Sequence, residues 1–94
     1  MTYYVYLIIA INPNINKSYV GYTNNIKLRL IKHNSNKGAK STKGYKWRLI
    51  YSKKFSSKRS AMSFEYKFKK NYYLRNKIKK NLIFNEKDKN ITHN

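Results

Sequence analysis

Val5-Tyr6-Leu7-Ile8-Ile9-Ala10-Ile11 is the longest apolar run in the chain. With Tyr3 and Tyr4 ahead of it, it is rich in β-branched and aromatic residues. Residues 3–11 are therefore expected to form a strand. A strand apolar on both alternating faces belongs in the middle of a sheet. Seven residues are far fewer than the roughly 20 that span a bilayer. No basic residue precedes the run and no small-residue cleavage site follows it, as an export signal would require. The expectation is a soluble, intracellular protein that is not secreted.

A chain of 94 residues has room for one domain. Its 22 Lys and Arg face 3 Asp and Glu, for a net charge of +19. With 40% apolar and 16% aromatic residues it is too hydrophobic for a disordered basic tail. The absence of cysteine excludes a disulfide scaffold and thiolate zinc sites. His33 and His93 cannot build a zinc site without carboxylates, which are nearly absent. An AT-rich gene would inflate lysine, asparagine, isoleucine and tyrosine, but explains the scarcity of acids less well. Whatever its origin, the field attracts polyanions: nucleic acid first, anionic membrane a distant second. The charge is also localised. Residues 1–16 hold no Lys or Arg, and Glu86, Lys87, Asp88 and Lys89 cancel in the tail. All of the excess lies between Lys17 and Lys80, with Glu65 the lone acid among it.

Asn12-Pro13-Asn14 is a turn signal. Lys17 to Tyr22 alternates and suits a hairpin partner for the first strand. Thr23 or Asn24 is expected to cap a helix that ends near Asn34, with Ile26, Leu30 and Ile31 as its apolar stripe and Leu28 less well placed. Residues 35–45 form a basic loop with Gly38 and Gly44. Trp47 to Phe55 reads as a third strand. Ser56 or Ser57 can cap a second helix, where Ala61, Phe64 and Phe68 fall on one face. Residues 74–84 continue as helix through Leu74, Ile78 and Leu82. The order β-β-α-β-α-(α) predicts an α/β (α+β) fold: a small three-stranded sheet flanked by helices. Residues 1–85 form the single domain, with 71–85 a basic helical extension and 86–94 a flexible tail.

Few residues can carry chemistry. Glu65 sits among Lys58, Arg59, Lys67, Lys69 and Lys70. It is either a surface ion pair, worth about 0.3–0.5 kcal/mol, or a ligand for Mg²⁺, which one or two carboxylates hold together with phosphate and water. Arg29, one of four arginines, shares a helix face with His33. A planar bidentate donor suits a phosphate oxygen on which charge develops, and suits a plain backbone contact equally. His33 fits a general base, an orienting group or a structural histidine. Tyr6 and Tyr19 lie on adjacent expected strands, with Tyr6 on the face of Tyr4 and Ile8, and both could present hydroxyls at one place. Exposed aromatics such as Tyr45 and Trp47 could stack on bases.

The ordered set of these segments resembles the GIY-YIG nuclease domain. It comprises Tyr4-Val5-Tyr6, then Tyr19-Val20-Gly21, then Tyr22-Thr23-Asn24-Asn25-Ile26 with Arg29 and His33. Gly38-Ala39-Lys40-Ser41-Thr42-Lys43-Gly44, Arg48-Leu49-Ile50-Tyr51, Arg59-Ser60-Ala61 and Glu65-Tyr66-Lys67-Phe68-Lys69-Lys70 complete it. No single piece is specific, but the ordered spacing over residues 3 to 70 is. The small single-domain branch, grouped with the UvrC repair nuclease and the junction-resolving Slx nuclease, fits best. The resemblance implies hydrolysis of a DNA phosphodiester with one divalent ion, Mg²⁺ or Mn²⁺. It implies that Glu65 holds the metal and that Arg29 stabilises the scissile phosphate. One of Tyr6 and Tyr19 would deprotonate or position the attacking water, and His33 would activate or orient a tyrosine. Gly21 would leave room beside the site. A nearby metal and the lysines are expected to lower the tyrosine pKa from its usual value near 10.

The sequence departs from the family pattern at Tyr4, Val5 and Val20, and an asparagine that some members place after the glutamate has only Asn71 and Asn76 as candidates. No zinc-binding or helix-hairpin-helix partner domain is in view. Target choice is then expected from this domain, its 71–85 extension or another protein. Lys37, Lys40, Lys43 and Lys46 in the loop, with Lys67, Lys69 and Lys70, are the expected backbone contacts to DNA. The substrate could be a flap, branch or junction, a plain duplex or single strands, in repair, recombination or viral or mobile DNA, in cytoplasm or nucleus. The alternative is a basic DNA- or RNA-binding module without catalysis, a degenerate nuclease.

Overall fold

The structure, a computed structural model, describes residues 2–12 and 17–81. Strand β1 (Tyr3–Asn12) lies between β2 (Ser18–Thr23) and β3 (Lys46–Phe55) in the order β2-β1-β3. Both pairings are antiparallel. Helix α1 (Ile26–Asn34) joins β2 to a loop with a 3-10 turn at Lys40–Thr42. Helix α2 (Lys58–Lys70) follows β3, and α3 covers residues 72–81. This is the expected three-stranded α+β architecture. The expected Asn12-Pro13-Asn14 turn extends beyond the described residues, and Leu82, the end of the 71–85 extension and the tail lie outside them. Among the described residues no helix is long and apolar enough to cross a membrane.

Alternation along β1 builds two cores. Val5 and Leu7 face one way and pack with Val20, Ala61 and Phe68, covered by α2 and by Leu74 and Ile78 of α3. Tyr6, Ile8 and Ala10 face the other way and pack with Trp47, Leu30, Leu49, Tyr19 and Tyr45. A bulge in β3 places Ile50 between the pairs Leu7–Tyr51 and Ile8–Leu49. The extra residue lets both Ile50 and Tyr51 join the α2 side.

Helix ends follow local hydrogen-bonding chemistry. Ser57 caps α2 by accepting from the Ser60 N–H at 3.1 Å. Asn71 does the same for the start of α3, accepting from Leu74 N–H at 3.0 Å. Helix α1 is capped by Asn25, which accepts from Leu28 N–H at 3.0 Å, and not by Thr23 or Asn24. Thr23 ends β2 as a buried residue, and its hydroxyl accepts from Asn25 N–H at 3.2 Å. The inward stripe of α1 is also not the expected one. Leu28 and Ile31 are exposed, while Leu30 packs on the sheet and His33 is buried. An apolar residue in place of His33 would leave the buried Tyr6 hydroxyl without its partner, which costs more than an exposed isoleucine.

Trp47 is buried too, with its indole N–H donating to the Thr42 carbonyl at 2.9 Å, so it is not free to stack on bases. The Asn34 side chain clamps its backbone, accepting from Trp47 N–H at 2.6 Å and donating to Trp47 O at 3.2 Å. The end of α1 is thereby tied to the start of β3.

Ser57→Ala is expected to lower stability by about 1 kcal/mol, seen as a lower urea midpoint with an unchanged slope. Phe68→Ala should cost about 3–5 kcal/mol, comparable with the whole stability of a small domain.

Candidate active site

Tyr6 and Gly21 are direct partners across the β1–β2 pair, as are Ile8 and Tyr19. Cross-strand partners share a face, so the pairing brings Tyr6, Tyr19 and Gly21 together. The tyrosine rings lie 6.4 Å apart. Gly21 is required by that proximity. A Cβ there would sit 2.5 Å from the Tyr6 hydroxyl oxygen and 3.1 Å from the Tyr19 ring.

Behind Tyr6 runs a buried chain of hydrogen bonds. Tyr6 Oη lies 2.8 Å from His33 Nε2, and His33 Nδ1 lies 3.0 Å from Thr42 Oγ1. The Thr42 hydroxyl donates to Ala39 O at 2.7 Å. Gly38 packs flat on the imidazole, where a Cβ would meet Nδ1 at 2.4 Å. Burial, and then the nearby Arg29 charge, lower the His33 pKa and keep the ring neutral. Without a metal, the Tyr6 pKa is raised above its usual value. Burial raises it first, with Tyr19 and Glu65 adding to the rise and Arg29 opposing it. The one nearby positive charge that lowers it, Arg29, does not outweigh desolvation.

In front of the tyrosines is an open cleft of about 520 Å³. Tyr3, Tyr6, Tyr19, Gly21 and Arg29 line it, and α2 contributes Lys58, Glu65 and Lys69. Helix α2 covers the opposite face of the sheet, so the cleft gathers side chains from both layers. Glu65, with a side chain only 15% exposed, pairs with Lys69 at 2.8 Å. That hydrogen bond raises the Lys69 pKa above its usual value.

The GIY-YIG catalytic domain matches residues 2–81 of this chain. The chain belongs to the GIY-YIG family. A UPF0213 protein of Limosilactobacillus reuteri is 43% identical over 70 residues, 71% of this chain and 70% of that one. A UPF0213 protein of Bacillus licheniformis is 55% identical over 53 residues, 55% of each chain. This second alignment spans just over half of the relative's length. The solution NMR structure of a UPF0213 protein from Bacillus halodurans is 35% identical, covers 87% of this chain and 85% of that one, and has a TM-score of 0.49. GIY-YIG domains are nuclease domains, which implies nucleic acid as the substrate class.

The family assignment rests on the whole ordered chain, and the structure shows how its separate pieces converge. Tyr6, Tyr19, Gly21, Arg29, Glu65 and Lys69 meet at the cleft, with His33 buried directly behind Tyr6. The other lysines singled out in the sequence stand elsewhere. Lys37, Lys40 and Lys43 are exposed on the loop. Lys46 lines a shallow groove with Asn34, Asn36 and Tyr45. Lys67 borders a groove along α2, and Lys70 reaches back to the Tyr66 hydroxyl at 2.6 Å. Lys58, Thr42 and Gly38 stand in segments singled out from the sequence, which assigned them no place at the site. Lys58 precedes Glu65 by two helical turns, a spacing that places them on one face. Thr42 and Gly38 lie in a loop without periodicity, and only the fold shows that they touch His33.

The neutral buried His33 has a stability signature. Its folded pKa lies below the unfolded value near 6.5, so its contribution is complete above that pH and is lost as pH falls through the folded pKa. The urea midpoint should therefore drop between pH 7.5 and 5.5, and this limb should vanish in His33→Gln; a flat wild-type profile would show that the ring is not held neutral. Gly21→Ala should cost about 1–3 kcal/mol through overpacking, with the circular dichroism spectrum retained and the tyrosine resonances of the cleft displaced.

Proposed function

We propose that this chain is a metal-dependent DNA endonuclease whose active site is the cleft of Tyr6, Tyr19, Arg29 and Glu65. The observation that carries the reading is the convergence of the body's lone acid with two tyrosines and an arginine. A carboxylate in a phosphate-binding cleft repels the phosphate unless a cation stands between the two charges. Among the described residues there is no cluster of three or more His, Cys, Asp or Glu side chains. The donor set therefore suits one hydrated ion on Glu65, completed by water and substrate phosphate, and not an all-protein cage. When bound, a divalent ion supplies charge neutralisation at the leaving oxygen. Lys69 must turn away from Glu65 for this to happen, and its half-exposed side chain is free to do so.

The remaining chemistry belongs to the chain. Arg29 reaches the cleft from α1 and can hold a non-bridging phosphate oxygen through its planar donors. In the metal-free protein Tyr6 is favoured by burial in its protonated form. It can act as a carrier: Oη accepts a proton from the attacking water while its own proton passes to His33 Nε2, 2.8 Å away. The buried phenol then never carries a charge. Tyr19 lines the same cleft, its ring 6.4 Å from that of Tyr6. The exposed lysines of the loop, with Lys67, Lys69 and Lys70, would hold the flanking backbone. Repair, recombination and mobile-element processing are all compatible with such a site, as is a protein partner that selects the target.

The Glu65–Lys69 pair favours one other reading, a basic nucleic-acid-binding module in which the acid only fixes a lysine. Cleavage of labelled duplex, flap and four-way-junction DNA with Mg²⁺, Mn²⁺ or EDTA separates the two. On the nuclease reading, cutting requires the ion, and Glu65→Ala abolishes it while DNA binding is kept or strengthened. Arg29→Gln should lower the cleavage rate about 10²–10³-fold. Tight binding without cutting under every condition would leave the module.

A further inference from the structure

We propose that Thr42 is a positioning residue for the Tyr6–His33 pair: by accepting from His33 Nδ1 it holds the imidazole in the tautomer whose bare Nε2 faces the tyrosine. This rests on the reading of Tyr6 as the group that takes the proton of the attacking water.

The direction of the chain follows from its far end. The Ala39 carbonyl can only accept, so at 2.7 Å it takes the single proton of the Thr42 hydroxyl. Thr42 Oγ1 is left with lone pairs toward His33, and the contact at 3.0 Å must be Nδ1–H donating to it. A neutral imidazole carries one N–H, so Nε2 is bare and accepts the Tyr6 proton at 2.8 Å. The reverse arrangement would turn the Thr42 proton to Nδ1. Two acceptor oxygens, Thr42 Oγ1 and Ala39 O, would then face each other at 2.7 Å with no proton between them. The consequence at the cleft is that the Tyr6 proton points inward and its oxygen lone pairs remain for a donor from outside.

Thr42 is well placed to impose this. It is fully buried, its own N–H bonds Ala39 O at 3.0 Å, and its carbonyl accepts from the Trp47 indole at 2.9 Å. Gly38 closes over Nδ1 so tightly that a side chain there has no room. The turn that fixes the tautomer also carries Lys40 and Lys43 on its exposed side. One short loop thus holds both the outward basic groups and the inward end of the hydrogen-bond chain.

Long-range ¹H–¹⁵N correlation spectra of His33 in the labelled full chain test the assignment without reference to cleavage. Wild type and Thr42→Ser should show the Nδ1–H tautomer, and Thr42→Val should lose it in favour of Nε2–H or a mixture. In single-turnover cleavage, Thr42→Val should be slower by about 10–100-fold, the usual size of an outer-support effect, with DNA affinity unchanged and Thr42→Ser restoring the rate. An Nε2–H tautomer in wild type, or an Nδ1–H tautomer that survives Thr42→Val, overturns the proposal. If Thr42→Val does not fold, the wild-type spectrum decides alone. If wild type cuts no DNA, the nuclease reading fails, while the spectra still decide the role of Thr42.

Discussion

The organisation of this protein depends on β1 being buried on both faces. Val5, Leu7 and Ala10 lose all contact with solvent, and Tyr6 and Ile8 nearly all. A three-stranded sheet cannot bury its middle strand by itself, so each face needs a cover. α2 and α3 supply one through Ala61, Phe68, Leu74 and Ile78. The shorter α1, with the Trp47 corner, supplies the other. The cleft lies where the two layers meet along the β1–β2 pair. Glu65 from one layer and Arg29 from the other can line the same space only because the intervening sheet is narrow.

The same burial explains why a histidine completes the α1 stripe. Tyr6 alternates into the core, and its hydroxyl needs a partner there. His33 supplies it, Thr42 supplies the partner for His33, and the Ala39 backbone ends the chain. Each polar group drawn into the core requires the next, until a backbone carbonyl closes the series. This is how a surface loop of low regularity becomes part of the interior.

What was legible in the sequence divides along this line. Elements governed by period and caps were readable: the central strand, the hairpin, the Ala61, Phe64 and Phe68 face and the Ser57 cap. The candidate site residues were singled out by motif order, since Tyr6 and Glu65 are linked by no local periodicity. What escaped depended on tertiary partners. Ile31 looks like a core residue until the buried phenol selects His33 instead. Trp47 looks like a stacking platform until Thr42 O takes its N–H. The desolvation that raises the Tyr6 pKa in the metal-free protein is likewise invisible in the sequence. Asn25 caps α1 in place of Thr23, which is committed to the strand.

The electrostatics of the cleft bear on how such a site could be silent before substrate arrives. Arg29 opposes the rise of the Tyr6 pKa and pushes the His33 pKa down, so in the free protein it makes both the phenolate and a neutral imidazole easier to keep. On the proposed reading, a phosphate seated on Arg29 neutralises that charge. The repulsion on a protonated His33 then weakens, and the imidazole becomes a better acceptor for the Tyr6 proton. Glu65 is held by Lys69, and on the same reading a competing cation or phosphate draws the pair apart. Both halves of the site are thus balanced by an internal opposite charge or a repulsion that the substrate's own phosphate relieves. On that reading, in a body that keeps a single carboxylate among its lysines, the polyanion that the surface attracts is also the reagent that changes the basicity of the groups beneath it.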